Sequence, residues 1–167
     1  MVYTIADDLI FYQFLSFVKK YTNTDLKLFN FFYEKTNGIY PEFIVSIEHF
    51  IFFFVKNENY FLSKTYLNSM RRQIANRKIL IIRSEPVLIN LIFNLFPDVY
   101  IHDIVLEEDD FSGLREISLH FLSFRERSIA IGRKAEYIRC VNKLFKEYII
   151  FENKSKPIEI ICKNISK

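Results

Sequence analysis

The spacing of apolar positions divides the chain into stretches of different period. Over residues 4–20, Asp8, Gln13, Ser16, Lys19 and Lys20 fall on one arc at 100° per residue, and the rest of the surface is apolar. That predicts a helix buried on most sides, capped by Thr4 with Asp7 three residues on. A second helix is predicted from Thr24 to Lys35, capped by Thr24 and stopped at Asn37-Gly38, so that the two form a helical hairpin. Phe11, Phe14, Phe17, Phe29, Phe31 and Phe32 give this hairpin more aromatic surface than two short helices hide easily. It therefore either closes a core or docks a partner.

Residues 39–83 read mostly as strand. Phe43 to Ile47 and Phe50 to Val55 are rich in β-branched and aromatic residues, Lys56-Asn57-Glu58-Asn59 is a turn, and Tyr60-Phe61-Leu62 returns from it. Lys78 to Arg83 is a further strand. From Pro86 the pattern changes: Val87 to Phe96 is an apolar helix stopped by Pro97, and Tyr100 to Glu107 is a strand. After the acidic turn Glu107-Glu108-Asp109-Asp110 and Gly113, Arg115 to Leu122 alternates, with Ile117, Leu119 and Phe121 opposed to Glu116, Ser118 and His120. Phe124 to Ile131 and Ala135 to Lys146 are helices, and Tyr148 to Glu152 is a last strand.

The fold class this predicts is α+β. Residues 1–37 would be an N-terminal helical segment, 38–84 a small degenerate barrel of the OB type, and 154–167 a C-terminal tail. Residues 85–153 follow the order helix, strand, strand, helix, glycine loop, helix, strand, which is the αββααβ order of a type II KH domain.

Composition narrows the partners. Half of the residues are hydrophobic and 17% aromatic, which excludes a disordered chain, and the net charge of +3 permits an RNA partner without demanding one. Cys140 and Cys162 form neither a disulfide framework nor a metal site. No basic leader precedes Asp7 and Asp8, and Phe43 to Val55 is too short to span a bilayer, so a cytoplasmic protein without a membrane partner is expected.

The candidate chemistry lies in two places. The first is Gly132-Arg133-Lys134-Ala135, where an apolar run meets one of only three glycines, then two cations, then an amphipathic helix. Glycine lets a ligand approach the backbone closely, and two cations at a helix start select an anion. Arg139 and Lys143 extend that charge along the helix, and Ile129 and Ile131 either floor a groove or pack a core. The second is Arg71, Arg72 and Lys78, which with Lys64 and Arg77 occupy a stretch free of Asp and Glu from Asn59 to Ser84. They form either a solvated face or a phosphate-tracking surface beside Tyr60, Phe61 and Tyr66. An enzyme is not indicated. His49, His102 and His120 are scattered, and the carboxylates at 107–110 read as a solvated turn or a Mg²⁺ site.

Two runs resemble the bacterial transcription termination and antitermination factor family NusA. Arg83-Ser84-Glu85-Pro86-Val87 through Pro97-Asp98-Val99 is similar to the family's Arg-Ser/Thr-x-Pro-aromatic run, whose helix opens the first KH domain. Ser128-Ile129-Ala130-Ile131-Gly132-Arg133-Lys134-Ala135-Glu136-Tyr137-Ile138-Arg139 is similar to the loop S-L-A-I-G-x-x-G-x-N-V-R of its second KH domain. Position favours the first domain and wording the second. The resemblance covers roughly residues 78–152 and departs at Ala135, where the family has glycine, and in a length that leaves room for only a single KH unit. It implies a monomeric factor, needing no cofactor, that associates with RNA polymerase and binds single-stranded nascent RNA. Gly132, Arg133, Lys134, Ala135, Arg139 and Lys143 would lie on the RNA. The alternative is a ribosomal or ribosome-associated KH protein.

Overall fold

The computed structural model describes residues 10–109, 111–152 and 158–165. In chain order the elements are β1 (Leu15–Phe17), α1 (Asn23–Lys35), β2 (Phe43–Ile47), β3 (Phe50–Val55), α2 (Tyr60–Thr65), α3 (Leu67–Gln73), β4 (Lys78–Arg83) and α4 (Leu88–Leu95). They continue with β5 (Asp103–Glu108), β6 (Arg115–Phe121), α5 (Phe124–Ile131), α6 (Glu136–Glu147), β7 (Ile149–Phe151) and β8 (Ile158–Asn164). The chain is α+β and forms two compact units, Phe17–Pro86 and Met1–Ser16 with Val87–Lys167.

In the first unit the sheet order is β2-β3-β4. β2 and β3 form an antiparallel hairpin, and β4 runs parallel to β3 with Phe50 opposite Lys78 and Val55 opposite Arg83. β3 is buried along its whole length, as its unbroken run Phe-Ile-Phe-Phe-Phe-Val requires of a strand covered on both faces. One face packs Ile51, Phe53 and Val55 with Leu28 and Phe32 of α1 and Met70 of α3. On the other, the Phe17 ring lies 4.9 Å from Phe43 and 4.6 Å from Phe54. α1 starts at a capping box, in which the Thr22 hydroxyl accepts from Asp25 N–H and the Asp25 carboxylate accepts from Thr22 N–H. Lys19 donates to the same buried carboxylate at 2.7 Å. Burial alone would raise the Asp25 carboxyl, but the bonds from Lys19 and Thr22 outweigh it and hold it below the ordinary range.

In the second unit the sheet order is β5-β6-β8, with β5 antiparallel and β8 parallel to β6. β1 and β7 form a separate two-stranded ladder. α4 buries Leu88, Leu91, Ile92 and Leu95, and α6 buries Cys140, Val141, Leu144 and Phe145.

Five expectations are corrected. Ile10 and Phe11 are helical but residues 15–17 are strand, so the first predicted helix does not run on to residue 20, and residues 4–9 of it lie outside the described residues. Burial alternates through Phe11, Gln13 and Leu15 against Tyr12, Phe14 and Ser16. That period of two was masked because the exposed Tyr12 and Phe14 are themselves aromatic. Tyr60-Phe61-Leu62 is the first turn of α2, because a strand parallel to its predecessor needs a crossover to return the chain. The sheet of residues 43–83 is therefore open and mixed, with no barrel of the OB type, and residues 23–35 belong to its core instead of forming a separate segment. Finally, Tyr148–Glu152 supplies only β7, outside the main sheet, and the third sheet strand is β8, within the predicted tail. Residues 153–157 of that region lie outside the described residues.

Candidate functional site

The corner between α5 and α6 has a backbone unlike any other in the described chain. α5 opens at Ser123, whose hydroxyl accepts from Glu126 N–H, and ends at Gly132, whose N–H donates to Ser128 O at 3.0 Å. Gly132 has φ 81° and ψ 168°, a region that only glycine occupies at low cost. A Cβ there would lie 2.8 Å from Tyr137 Cβ and 3.1 Å from Tyr137 N, so the position also lacks space for a side chain. Lys134 (φ 52°, ψ 29°) and Ala135 (φ 58°, ψ 23°) are both left-handed. Two consecutive left-handed residues with a Cβ cost about 1 kcal/mol or more each, so their surroundings must hold them.

Two side chains do so. The Arg139 Nη1 donates to Lys134 O at 2.9 Å, and the Tyr137 hydroxyl donates to Leu95 O, fastening the start of α6 to the end of α4. The Tyr137 ring meets Phe96 edge-on at 5.7 Å. Burial, and then the charge of Asp98, push the Tyr137 hydroxyl far above its ordinary range, so it remains a proton donor at any physiological pH.

With the corner held, Arg133 and Lys134 project as exposed cations, and Arg139 and Lys143 lie on one exposed face of α6, four residues apart. α6 begins at Ala135, which as an alanine offers no side-chain cap. Glu136 is the sole carboxylate from Ser128 to Cys140. The arrangement suits an extended polyanion laid across the corner, with backbone N–H groups and two to four cations meeting its charges. Ile129 is half exposed beside it, Ile131 partly so, and Ala130 is buried.

The other predicted cations lie in the first unit, and two of them have structural work. Arg71 Nη2 donates to Ile79 O at 3.1 Å, tying α3 to β4. Lys78 sits 5.3 Å over the Phe50 ring. Arg72 is exposed. Arg77, in the same stretch, donates to Glu48 O at 3.2 Å. Sequence reasoning missed Tyr137, whose signal was an aromatic residue five positions after a glycine, and it treated Arg139 as an RNA contact without seeing its bond to the loop.

The remaining candidate chemistry resolves into structure. Asp109 accepts from Phe111 N–H and from the Ser112 hydroxyl, which hold its carboxyl below the ordinary range, and Lys163 lies 3.9 Å from Glu107 and 3.6 Å from Glu116. Asp110 lies outside the described residues. Among the described residues, no group of three His, Cys, Asp or Glu side chains could hold a metal ion, and no helix is long and apolar enough to cross a membrane. Both cysteines are buried, and burial pushes the Cys162 thiol up to about 11 against the opposing charge of Arg127.

No protein-family model matches the chain, and no curated protein matches it. Among solved structures, it is similar to the crystal structure of APE1850, at a TM-score of 0.59 and 18% identity, over 84% of this chain and all of that one. At that identity the likeness concerns the fold. Since 84% of the chain exceeds either unit alone, the likeness draws on both.

Proposed function

We propose that the chain binds single-stranded RNA through a pair of type II KH domains, and that the Gly132 corner of the second is where RNA is held. The observation that carries this reading is that corner: a glycine-only backbone followed by two left-handed residues that present Arg133 and Lys134 between two helices. In a KH domain such a turn clamps the backbone of about four nucleotides. Setting aside the β1–β7 ladder, both units run helix, strand, strand, helix, helix, strand, with the last strand parallel to the second, which supports a tandem in place of the single KH unit expected from length.

The mechanism is binding without bond chemistry. Gly132 lets the phosphodiester backbone approach, Arg133 and Lys134 neutralise phosphates, and the positive dipole end of α6 faces the same anion. Ala135 keeps the left-handed turn with a methyl group where glycine would adopt it freely.

The cellular role we propose is that of a NusA-like transcription elongation, termination and antitermination factor. Its support is the likeness of the Arg83–Val99 and Ser128–Arg139 runs to that family. In the tandem reading the first run joins the two domains and the second is the loop of the second domain, so position and wording now favour the same assignment. Association with RNA polymerase rests on that likeness alone, because α1, read from sequence as either closing a core or docking a partner, is built into the first unit's core.

The test is binding of a short oligouridylate across a salt series by the wild type and Arg133→Asp/Lys134→Asp. The expected result is that affinity falls with salt and that the double variant, still folded, loses most binding and about 1.4 from the slope of log affinity against log salt. Equal binding by the variant overturns the reading. Co-sedimentation with ribosomal subunits, and none with RNA polymerase, overturns the transcriptional role.

A further inference from the structure

We propose a second nucleobase site, in the Phe17–Pro86 unit, where an outward-facing Phe61 ring backed by the Arg83 guanidinium stacks one base of a single-stranded RNA. This inference rests on the reading that the chain binds RNA, and it adds a contact that uses no glycine loop.

β4 ends at Arg83, opposite Val55 at the end of its parallel neighbour β3, and α2 begins at Tyr60, just beyond the short turn after β3. The end of β4 and the start of α2 therefore meet at the carboxyl ends of the parallel pair. There the Arg83 guanidinium lies 4.4 Å from the Tyr60 ring centroid and 4.9 Å from that of Phe61. The two rings are 5.4 Å apart and inclined at 70°. Tyr60 is 7% exposed and anchors the group, whereas Phe61 is 70% exposed. Lys64, one turn along α2, places its ammonium 5.3 Å over Tyr60.

A single exposed phenylalanine is ordinary. What distinguishes Phe61 is the charge behind it. Among the described residues, no carboxylate forms an ion pair with Arg83 or Lys64, and the buried Arg83 Nε has no acceptor. From Asn59 to Ser84 the chain carries Lys64, Arg71, Arg72, Arg77, Lys78 and Arg83 and no Asp or Glu. Arg83 occupies one side of the Phe61 ring and most of the residue stays open. An open π-face beside unpaired cations matches a base and its phosphate, and such stacking tolerates any base.

The chain contains no tryptophan, so Phe61→Trp introduces a single indole at the platform. The expected result is saturable quenching of its fluorescence by a short oligouridylate. The quenching should be absent with inorganic polyphosphate at equal charge and absent from Phe111→Trp, a fully exposed position in the other unit. It should persist, at higher RNA concentration, when Arg133→Asp/Lys134→Asp is added. Phe61→Ala should weaken RNA binding about tenfold with unchanged thermal unfolding. If the wild type binds RNA through the loop but Phe61→Trp is not quenched and Phe61→Ala binds normally, the platform is overturned and the loop reading stands. Equal quenching by polyphosphate overturns base stacking. No RNA binding by any variant overturns both.

Discussion

Apart from the β1–β7 ladder of the second, the two units share one order of elements, and they differ at the junction of their paired helices. In the second unit α5 passes to α6 through Gly132 and two left-handed residues. In the first, α2 passes to α3 through Tyr66 alone, at φ −94° and ψ −4°, with its hydroxyl accepting from the Asn37 side chain. The first corner stores no backbone strain and offers no glycine. The second keeps costly conformations and fastens them with Arg139 and Tyr137. The first unit turns its corner without such strain, and the proposed RNA contact would account for the strained version in the second.

The sharpest way to break this comparison is Gly132→Val. It forces a side chain into a glycine-only backbone region and against Tyr137, and the expected cost is about 4 kcal/mol together with loss of RNA binding. Thr65→Val at the first corner should cost less than about 1 kcal/mol and leave binding alone. Denaturant unfolding and RNA titration of both variants check the contrast.

A second contrast lies in the helix starts. α1 has a full capping box and a buried Lys19–Asp25 pair, whereas α6 has no side-chain cap. Asp25→Ala should destabilise the protein by about 3 kcal/mol, because it removes a cap and strands a partly buried ammonium. The Asp25 carboxyl is depressed in the folded state, so its contribution is present above the ordinary aspartate value of about 4 and is lost as pH falls through the lower folded value. Unfolding curves at falling pH should show that loss in the wild type and not in Asp25→Asn.

Arg139→Leu should release the loop carbonyl and lower stability by about 1 kcal/mol, while RNA affinity falls by more than one lost phosphate contact accounts for. An effect on the salt slope with none on stability would mean that Arg139 only binds RNA. The smallest effect belongs to Ala135→Gly. Relief of the left-handed alanine outweighs the added freedom of the unfolded chain, so the variant should gain about 0.5–1 kcal/mol and a Tm rise of about 1–4 °C. A lower Tm would show that the turn is not strained at Ala135.

Much of the second unit could be read directly from sequence. α4 and α6 carry apolar residues at helical spacing, β6 alternates, and Gly132 is followed by two cations at the start of a helix. These are local patterns, each decided within a dozen residues. The Phe17–Pro86 unit was misread where aromatic residues cluster, so that Tyr60-Phe61-Leu62 looks like a strand, and in the other unit Tyr12 and Phe14 hide the alternation of their segment.

The sequence by itself determined the helices and the first two sheet strands of the second unit between residues 88 and 147, and placed the candidate anion contact at residues 132–135. The tertiary structure decided that β4 and β8 pair parallel to β3 and β6, and that Tyr60 therefore begins a helix. It also decided that Tyr137 and Arg139 hold the loop, and that Arg83 lies under Phe61. The physical reason is range. Periodicity and capping act between neighbours, whereas strand pairing, aromatic stacking and the support of a strained turn join residues that only the folded chain brings together.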